Sequence, residues 1–222
     1  MAYTDSGDEI VSEQTVRGWT VDGVFRAPDG VLDRADALIL SYMGIIMVKW
    51  PTFACLTQLQ LDNNSIDAFP TEMWSCTSLR SLTLSGMGMT ILPDDIAKLS
   101  GLETLTLNAN SLAAIPDAVG SLQNLVTLNA AYNRLTTLPA SIVGLTALRQ
   151  LCISFNTISA IPDELGGLIS LESLYANNNS ISAVSAELTS LTRLRVLYLN
   201  DNQIDAFPDA IRGMRSIVRL SI

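Results

Sequence analysis

The side chains that most often carry acid–base and nucleophilic chemistry are scarce in this chain. Its 222 residues include no histidine, which excludes the most common general base and every serine–histidine or cysteine–histidine nucleophile. Adjacent acids occur at Asp94–Asp95 and Asp163–Glu164, each pair directly after a proline. We interpret both pairs as solvated acids in the first turn of a helical segment, where the helix dipole favours them. The sequence therefore predicts a protein without enzymatic activity, metal or cofactor.

Three cysteines form the other set of reactive candidates. An odd and sparse number of cysteines is typical of a reducing compartment, so we expect a cytoplasmic protein. Cys76 stands where the pattern described below places a buried apolar residue, and a disulfide between Cys55 and Cys76 is left open. Cys152 is expected to face outwards as an accessible thiol. Without a base in the chain to activate it, we assign it no catalytic role.

Charge and hydropathy exclude further classes of protein. The net charge of −9 argues against a general binder of nucleic acid or of anionic membranes. The charged side chains are unevenly distributed. Residues 1–34 carry seven acidic and three basic side chains, whereas residues 193–222 carry three acidic and five basic ones. The longest apolar stretch, Ala37 to Val48, is too short for a membrane span and is typical of a buried strand.

A 23-residue repeat of hydrophobic residues runs through most of the chain and must position any functional side chain. Position 1 of successive repeats is Leu56, Leu79, Leu102, Leu125, Leu148, Leu171, Leu194 and Ile217. Positions 4, 6, 11, 14, 18 and 21 are also apolar, while position 9 is Asn and position 15 is Pro in six of the seven full repeats. Periodicity of this kind indicates units that bury their apolar faces only by stacking on their neighbours.

Each part of the repeat predicts a local structure. The first residues alternate like a strand, with positions 4 and 6 facing inwards and positions 2, 3, 5 and 7 facing outwards. An asparagine at position 9 can satisfy backbone groups of neighbouring coils where the chain leaves the strand. Proline at position 15 is suited to the first turn of a short helical or 3₁₀ segment, which then buries positions 18 and 21.

This pattern resembles the leucine-rich-repeat family, whose consensus reads LxxLxLxxNxLxxLPxxIxxLxxL. It is similar to the 23-residue, LP-containing class found in intracellular Ras-suppressor-like proteins and in many bacterial proteins, and the resemblance covers residues 35–222. The resemblance implies an α/β fold, a right-handed solenoid with a concave parallel β-sheet and short 3₁₀ or helical turns on the convex side. It also implies a protein that binds other proteins.

Four segments are predicted along the chain. Residues 1–34 form an N-terminal cap with Trp19 and Phe25 covering the first coil, or alternatively an acidic docking segment. Residues 35–55 form a degenerate first repeat, with Leu38 and Leu40 at positions 4 and 6. Residues 56–216 form seven full repeats. Residues 217–222 form a truncated last repeat whose strand edge predicts a possible homo-oligomer.

One residue departs from the asparagine pattern inside the array. Met87 stands at position 9 of repeat 2, within the sequence Gly86–Met89. One interpretation is a tolerated substitution. The alternative is a local loosening or change of curvature between repeats 2 and 3.

The concave face changes in composition along the array, from small polar residues in repeats 1–3 to aromatic residues from repeat 4. Tyrosine and arginine often carry the binding energy of protein interfaces. The candidate protein-binding residues are Tyr132 and Phe155 at position 8, Tyr175 and Tyr198 at position 5, and Arg149, Arg195 and Arg219 beside them. The alternative is that position 8 turns towards the sheet edge and is partly shielded.

The sequence thus predicts a non-enzymatic protein–protein interaction module that binds a protein on the concave face of repeats 4–8. Two alternatives remain open. The chain could assemble with itself end to end through its last strand, or it could be the recognition arm of a larger effector.

Overall fold

A computed structural model describes residues 20–26, 37–49, 56–66, 69, 71–205 and 209–222. Among these residues, nine strands form one parallel sheet in which each strand pairs with the strand of the next repeat. They are β3 (Ala37–Ile39), β5 (Gln58–Gln60), β6 (Ser81–Thr83), β7 (Thr104–Thr106), β8 (Thr127–Asn129), β9 (Gln150–Cys152), β10 (Ser173–Tyr175), β11 (Val196–Tyr198) and β12 (Arg219–Ser221). The predicted solenoid with a parallel sheet is confirmed.

The register of this sheet follows the repeat. Leu59 pairs with Leu82, Leu82 with Leu105, and so on to Leu197 with Leu220. In β5 to β8 the central leucine is buried and its two neighbours are half-buried, as the predicted alternation requires. The pairing also extends to the degenerate first repeat, where Leu38 lies opposite Leu59.

The return paths of repeats 1 to 6 each contain a short 3₁₀ turn, and that of repeat 7 contains a short α-helix. These turns span Thr71–Ser75, Asp94–Lys98, Asp117–Ser121, Ala140–Gly144, Asp163–Gly167 and Ala186–Ser190, and a short α-helix, α1, spans Asp209–Arg212. Proline precedes four of the turns in an extended conformation. Where Ser185 replaces it, the serine hydroxyl accepts a hydrogen bond from the Glu187 amide at 3.1 Å. Serine thereby caps a backbone donor that would otherwise have no partner.

The hydrophobic core is one continuous column inside the coils. Residues at positions 1, 4, 18 and 21 are buried in repeat after repeat, as in Leu102, Leu105, Val119 and Leu122. Cys76, at position 21, is also buried, which confirms its interpretation as a small core residue. Cys55 lies outside the described residues, so its pairing with Cys76 stays untested.

A second, three-stranded sheet stands at the N-terminal end of the described chain. It contains β1 (Thr20–Val21), β2 (Val24–Arg26) and β4 (Met47–Lys49), and β2 pairs antiparallel with β1 and parallel with β4. Phe25 is fully buried there, whereas Trp19 lies outside the described residues. The boundaries of the cap and of the repeats stay predictions.

The interpretation of Ala37 to Val48 as one buried strand is wrong. The segment divides into β3, which joins the large sheet, and β4, which joins the small one. Tyr42 and Gly44 between them have φ of 61° and 65°. The chain turns between the two strands here, and β4 pairs with β2 while β3 pairs with β5, so the two halves enter different sheets.

The asparagines at position 9 form a ladder along one side of the coils, as predicted. In each, the amide nitrogen Nδ2 donates to the position-6 carbonyl of its own repeat and of the preceding repeat, at 2.7–3.1 Å. Oδ1 accepts from the position-11 amide of the preceding repeat. The ladder comprises Asn64, Asn110, Asn133, Asn156, Asn179 and Asn202. It satisfies backbone groups that would be costly to bury without a partner.

Met87 interrupts this ladder. Its thioether cannot replace the side-chain amide of asparagine. Within the described chain, the backbone amide of Ile66 therefore lacks the side-chain acceptor that the position-11 amide of Met89 finds in Asn110. The backbone amide of Gly88 also makes no hydrogen bond to the preceding repeat, whereas those of Ser65 and Ser111 do. A cleft of about 600 Å³, lined by residues that include Ile66, Met87 and Met89, opens at this point. The missing hydrogen bonds therefore lie between repeats 1 and 2, because a ladder side chain bonds backwards to the preceding repeat. Between repeats 2 and 3, where the alternative interpretation placed a loosening, the rung at Asn110 is intact.

Candidate functional site

The concave sheet presents its outward side chains in straight rows. Parallel register places equal repeat positions side by side, about 4.8 Å apart from strand to strand. Position 5 therefore forms one row along the middle of the sheet, position 2 a row at the start of the strands, and position 8 a row just beyond their ends. Six of the seven predicted binding residues belong to these three rows, and Arg219 stands at position 3, next to the position-2 row.

Position 8 has a backbone conformation that the sequence analysis did not anticipate. In repeat after repeat this residue has positive φ, at Tyr42, Asn63, Gly86, Ala109, Tyr132, Phe155, Asn178 and Asp201. Glycine, asparagine and aspartate tolerate this conformation, whereas bulky residues adopt it at a cost. The asparagine, glycine and aspartate at this position were the available sequence signal. Tyrosine and phenylalanine there are exceptions that the tertiary structure has to hold in place.

Tyr132 and Phe155 stack on one another across repeats 4 and 5. Their ring centroids are 4.2 Å apart and their planes differ by 7°. The rings are nonetheless open to solvent, with 55% of Tyr132 and 39% of Phe155 exposed. The two rings are thus exposed, as expected, and each covers one face of the other, whereas shielding at the sheet edge stays untested.

Tyr175 and Tyr198 form a second aromatic pair in the position-5 row. Their centroids are 5.4 Å apart and their planes are 86° apart, an edge-to-face contact. Both rings are half-buried, and Tyr175 lies opposite the half-buried Cys152 of the preceding strand. The pair gives the middle of the sheet an amphipathic surface in repeats 6 and 7.

The three predicted arginines lie near the opposite edge of the sheet. Arg149 forms an exposed ion pair with Glu172 at 3.0 Å. Arg195 and Arg219 are exposed, and the described part of the chain places no carboxylate within ion-pair distance of either. The structure thus brings the seven residues into two ring pairs and an arginine edge.

The acidic pairs occupy the positions expected for first-turn acids. Asp94 and Asp95 begin one 3₁₀ turn, and Asp163 and Glu164 begin another. Asp95 pairs with Lys98, and Asp163 accepts a hydrogen bond from the Ser185 hydroxyl. Over the residues described, no group of three or more metal-ligating side chains occurs. In the same ranges no helix has the length and apolar character needed to cross a membrane.

Comparison with known proteins gives one family. A family model described as a leucine-rich repeat region matches residues 38–153 and 106–222. No curated protein matches the chain.

Several solved structures are similar to this chain. Internalin C2 of Listeria monocytogenes is 26% identical with a TM-score of 0.76, over 86% of this chain and 82% of its own. A leucine-rich-repeat protein of Leptospira interrogans is 26% identical with a TM-score of 0.70, over 89% and 58%. The ectodomain of the Arabidopsis thaliana receptor kinase GASSHO1/SCHENGEN3, in complex with Casparian strip integrity factor 2, is 25% identical with a TM-score of 0.71, over 90% and 29%. The chain thus spans little more than half of the Leptospira protein and under a third of the plant ectodomain.

Proposed function

Since the chain belongs to the leucine-rich-repeat proteins, we propose that it is a non-enzymatic module that binds a protein on the concave face of repeats 4–8. The carrying observation is the exposed stack of Tyr132 and Phe155, two aromatic residues held at φ of 55° and 57°. Left-handed backbone at a non-glycine residue costs about 1–3 kcal/mol and persists where the surrounding structure holds it, often at binding sites.

Aromatic surface in fixed positions is well suited to protein recognition. A ring bound to a rigid sheet loses little conformational entropy on binding, and tyrosine combines apolar area with a hydroxyl that can hydrogen-bond. The ring pairs Tyr132–Phe155 and Tyr175–Tyr198 provide such area across four consecutive repeats. We therefore assign them the centre of the proposed interface, with the arginine edge at its rim.

The arginine edge, formed by Arg149, Arg195 and Arg219, indicates the charge of the partner surface that would contact it. Arg149 is already paired with Glu172, whereas Arg195 and Arg219 have no carboxylate within ion-pair distance in the described chain. Carboxylates of a partner would pair with these two guanidinium groups in bidentate geometry. We propose that the partner is acidic where it contacts repeats 7 and 8.

A similar protein supports a protein ligand. The Arabidopsis ectodomain, which aligns with 90% of this chain, was solved with the protein Casparian strip integrity factor 2. That complex belongs to the plant receptor. It supports the proposal that this chain also recognises a protein. The tyrosine and arginine side chains of the concave face define only the chemical character of that partner's surface.

The proposal is tested by capture of partners from a lysate of the source organism on the immobilised full chain. The variant is Tyr175→Thr with Tyr198→Thr, since Thr83 and Thr106 occupy the same position in repeats 2 and 3 and the fold tolerates threonine there. Ile169→Ala, an exposed apolar residue outside the strand rows, is the matched control. We expect wild type and control to retain the same protein, and the double variant to bind it about tenfold or more weakly. Equal retention by the double variant would exclude the Tyr175–Tyr198 pair from the interface, and the Tyr132→Asn and Phe155→Asn variants test the other ring pair in the same way.

We also propose the reducing cytoplasm as the compartment, on the basis of the odd cysteine count. Half-buried Cys152 is then a free thiol in the isolated protein. Rapid alkylation of Cys152 in the native protein prepared without reductant is the expected result. A protein recovered from its source with Cys152 oxidised would contradict the assignment.

A further inference from the structure

A cavity of about 740 Å³ lies where the strands of repeats 6 to 8 begin. Its lining combines two arginines, two hydroxyl groups, one carboxylate and one valine, namely Arg193, Arg195, Thr192, Ser216, Glu172 and Val218. Arg193 and Arg195 are both exposed and flank the buried Leu194. Because alternate residues of an extended segment share one side, both arginine side chains leave the chain outwards, away from the core. The cavity thus receives two guanidinium groups from one stretch of chain.

Arginine at position 2 is paired elsewhere in the array with a glutamate at position 2 of the following repeat. Arg80 lies 3.7 Å from Glu103, and Arg149 lies 3.0 Å from Glu172. Parallel register places these positions about 4.8 Å apart from strand to strand, which brings each guanidinium group within reach of the next carboxylate. A position-2 arginine in this array therefore finds its opposite charge one repeat later.

Arg195 is the third position-2 arginine, and the following repeat offers it no carboxylate. Val218 stands in the place of the glutamate, with its backbone amide donating to the Arg195 carbonyl at 2.7 Å. On the preceding repeat, Glu172 is already engaged by Arg149. In the described chain neither Arg195 nor Arg193 has a carboxylate within ion-pair distance. With the charge of Glu172 offset by Arg149, the cavity carries two uncompensated positive charges.

We propose that this cavity binds the phosphate group of a phosphorylated side chain of the partner protein. A phosphate monoester carries about −1.5 to −2 charges at pH 7 and three strong acceptor oxygens. That charge matches the two guanidinium groups, each of which can donate two parallel hydrogen bonds to phosphate oxygens. The hydroxyl groups of Thr192 and Ser216 supply two further donors. A carboxylate carries a single charge, so it would leave one of the two guanidinium groups uncompensated.

This inference deepens the proposed function, since it identifies the acidic group of the partner that contacts Arg195, and it rests on that function only for the source of the phosphate. The cavity itself is tested with two small probes of nearly the same tetrahedral shape. N-acetyl-O-phosphoserine amide is largely a dianion at pH 7, whereas N-acetyl-O-sulfoserine amide is a monoanion. Binding to the full chain is followed by the backbone amide NMR signals of Thr192 and Ser216.

Two site variants, each with a matched control, separate the cavity from the net charge of the protein. Val218→Glu gives Arg195 the partner that the array provides for its other position-2 arginines. Its control, Ile91→Glu, adds the same charge in repeat 2 at a residue that is also 76% exposed. Arg193→Gln removes one cation from the cavity, and its control, Arg134→Gln, removes an exposed cation from repeat 4. Unchanged amide spectra away from the substitution show that each variant folds.

We expect saturable binding of the phosphoserine probe at millimolar concentration and about tenfold weaker binding of the sulfoserine probe. Val218→Glu and Arg193→Gln should each weaken binding of the phosphoserine probe by a similar factor, whereas the two controls retain the wild-type affinity. The proposal is overturned if the phosphoserine probe causes no saturable shift or if the two probes bind equally. It is also overturned if either site variant binds as the wild type does, or if the controls lose as much affinity as the site variants.

The source of the phosphate is tested by capture of the partner from a lysate that has been treated with a protein phosphatase. We expect retention on the full chain to fall about tenfold relative to an untreated lysate. Equal retention after treatment would overturn the assignment to a phosphorylated side chain, and a free phosphate compound would then be the ligand of the cavity. Loss of probe binding leaves the capture experiment on Tyr175 and Tyr198 unaffected, so the two proposals fail separately.

Discussion

The backbone carbonyl oxygen of Gly120 lies 2.1 Å from the point where a Cβ atom on Gly144 would stand. The two glycines belong to the 3₁₀ turns of repeats 3 and 4, which pack against one another on the convex side. A side chain at Gly144 would have to displace backbone. Gly167 occupies the same repeat position one coil later, but there the nearest atom is Cγ2 of the exposed Val143 at 2.5 Å.

Replacement of these two glycines is therefore expected to have unequal effects. Gly144→Ala should lower the free energy of unfolding by about 1–3 kcal/mol, because the turns of repeats 3 and 4 must separate. Gly167→Ala should change it by less than about 0.5 kcal/mol, since Val143 can rotate into solvent. Urea unfolding of both variants measures the difference, and equal stability would show that the turns are not in backbone contact.

The asparagine ladder predicts that two substitutions change the free energy of unfolding in opposite directions. Asn156→Met removes the acceptor of the Leu135 amide and the donor to two buried carbonyls, so it should cost about 2–4 kcal/mol, the effect of leaving such groups without partners. Met87→Asn restores the missing rung opposite the Ile66 amide and should stabilise the protein by about 1 kcal/mol. Both values come from urea unfolding. A destabilised Met87→Asn protein would mean that the cleft between repeats 1 and 2 depends on the methionine.

The stacked rings of Tyr132 and Phe155 predict that their replacement weakens binding of the partner without lowering the stability of the fold. Tyr132→Asn and Phe155→Asn remove a stacking contact of about 0.5–1.5 kcal/mol and relieve a left-handed backbone cost of about 1–3 kcal/mol. The free energy of unfolding should therefore stay within about 1 kcal/mol of wild type or rise, while retention of the partner in the capture experiment falls. A loss of about 3 kcal/mol, typical of a truncated buried aromatic residue, would instead assign the rings a structural role.

The ion pair between Arg149 and Glu172 is exposed and predicts a small effect on stability. Arg149→Ala should lower the free energy of unfolding by less than about 1 kcal/mol, because solvent screens such pairs. If Arg149 lies at the rim of the interface, the same variant slows association with the partner, and the difference from wild type shrinks as salt is raised. An association rate equal to that of wild type at low salt would remove Arg149 from the proposed surface.

Much of this architecture follows from the repeat. Because every side chain at a given position meets the same position of the next coil, the spacing of Leu56, Leu79 and their successors predicted the sheet, its register and the buried leucines. The role of the asparagines followed from the need to satisfy backbone groups at a turn. The first-turn acids and the burial of Cys76 followed from their places in the same pattern.

Other features depended on contacts between repeats. The hydrogen bonds that are missing at Met87 lie between repeats 1 and 2 because a ladder side chain bonds to the coil before its own, and composition carries no sign of that direction. The division of Ala37 to Val48 into two sheets depended on the pairing of β4 with β2, a contact outside the repeat pattern.

The sequence by itself determined which residues form the rows, and the tertiary structure alone decided what stands in contact within them. Stacking brings Tyr132 and Phe155 to 4.2 Å although 23 residues separate them, and it places the Asp62 carboxylate against the backbone of the following repeat. Which rings pair, and which side chain accepts from which backbone amide, depends on side-chain direction and not on spacing. A one-dimensional period specifies neighbours, whereas the orientation of each side chain is set by packing in three dimensions.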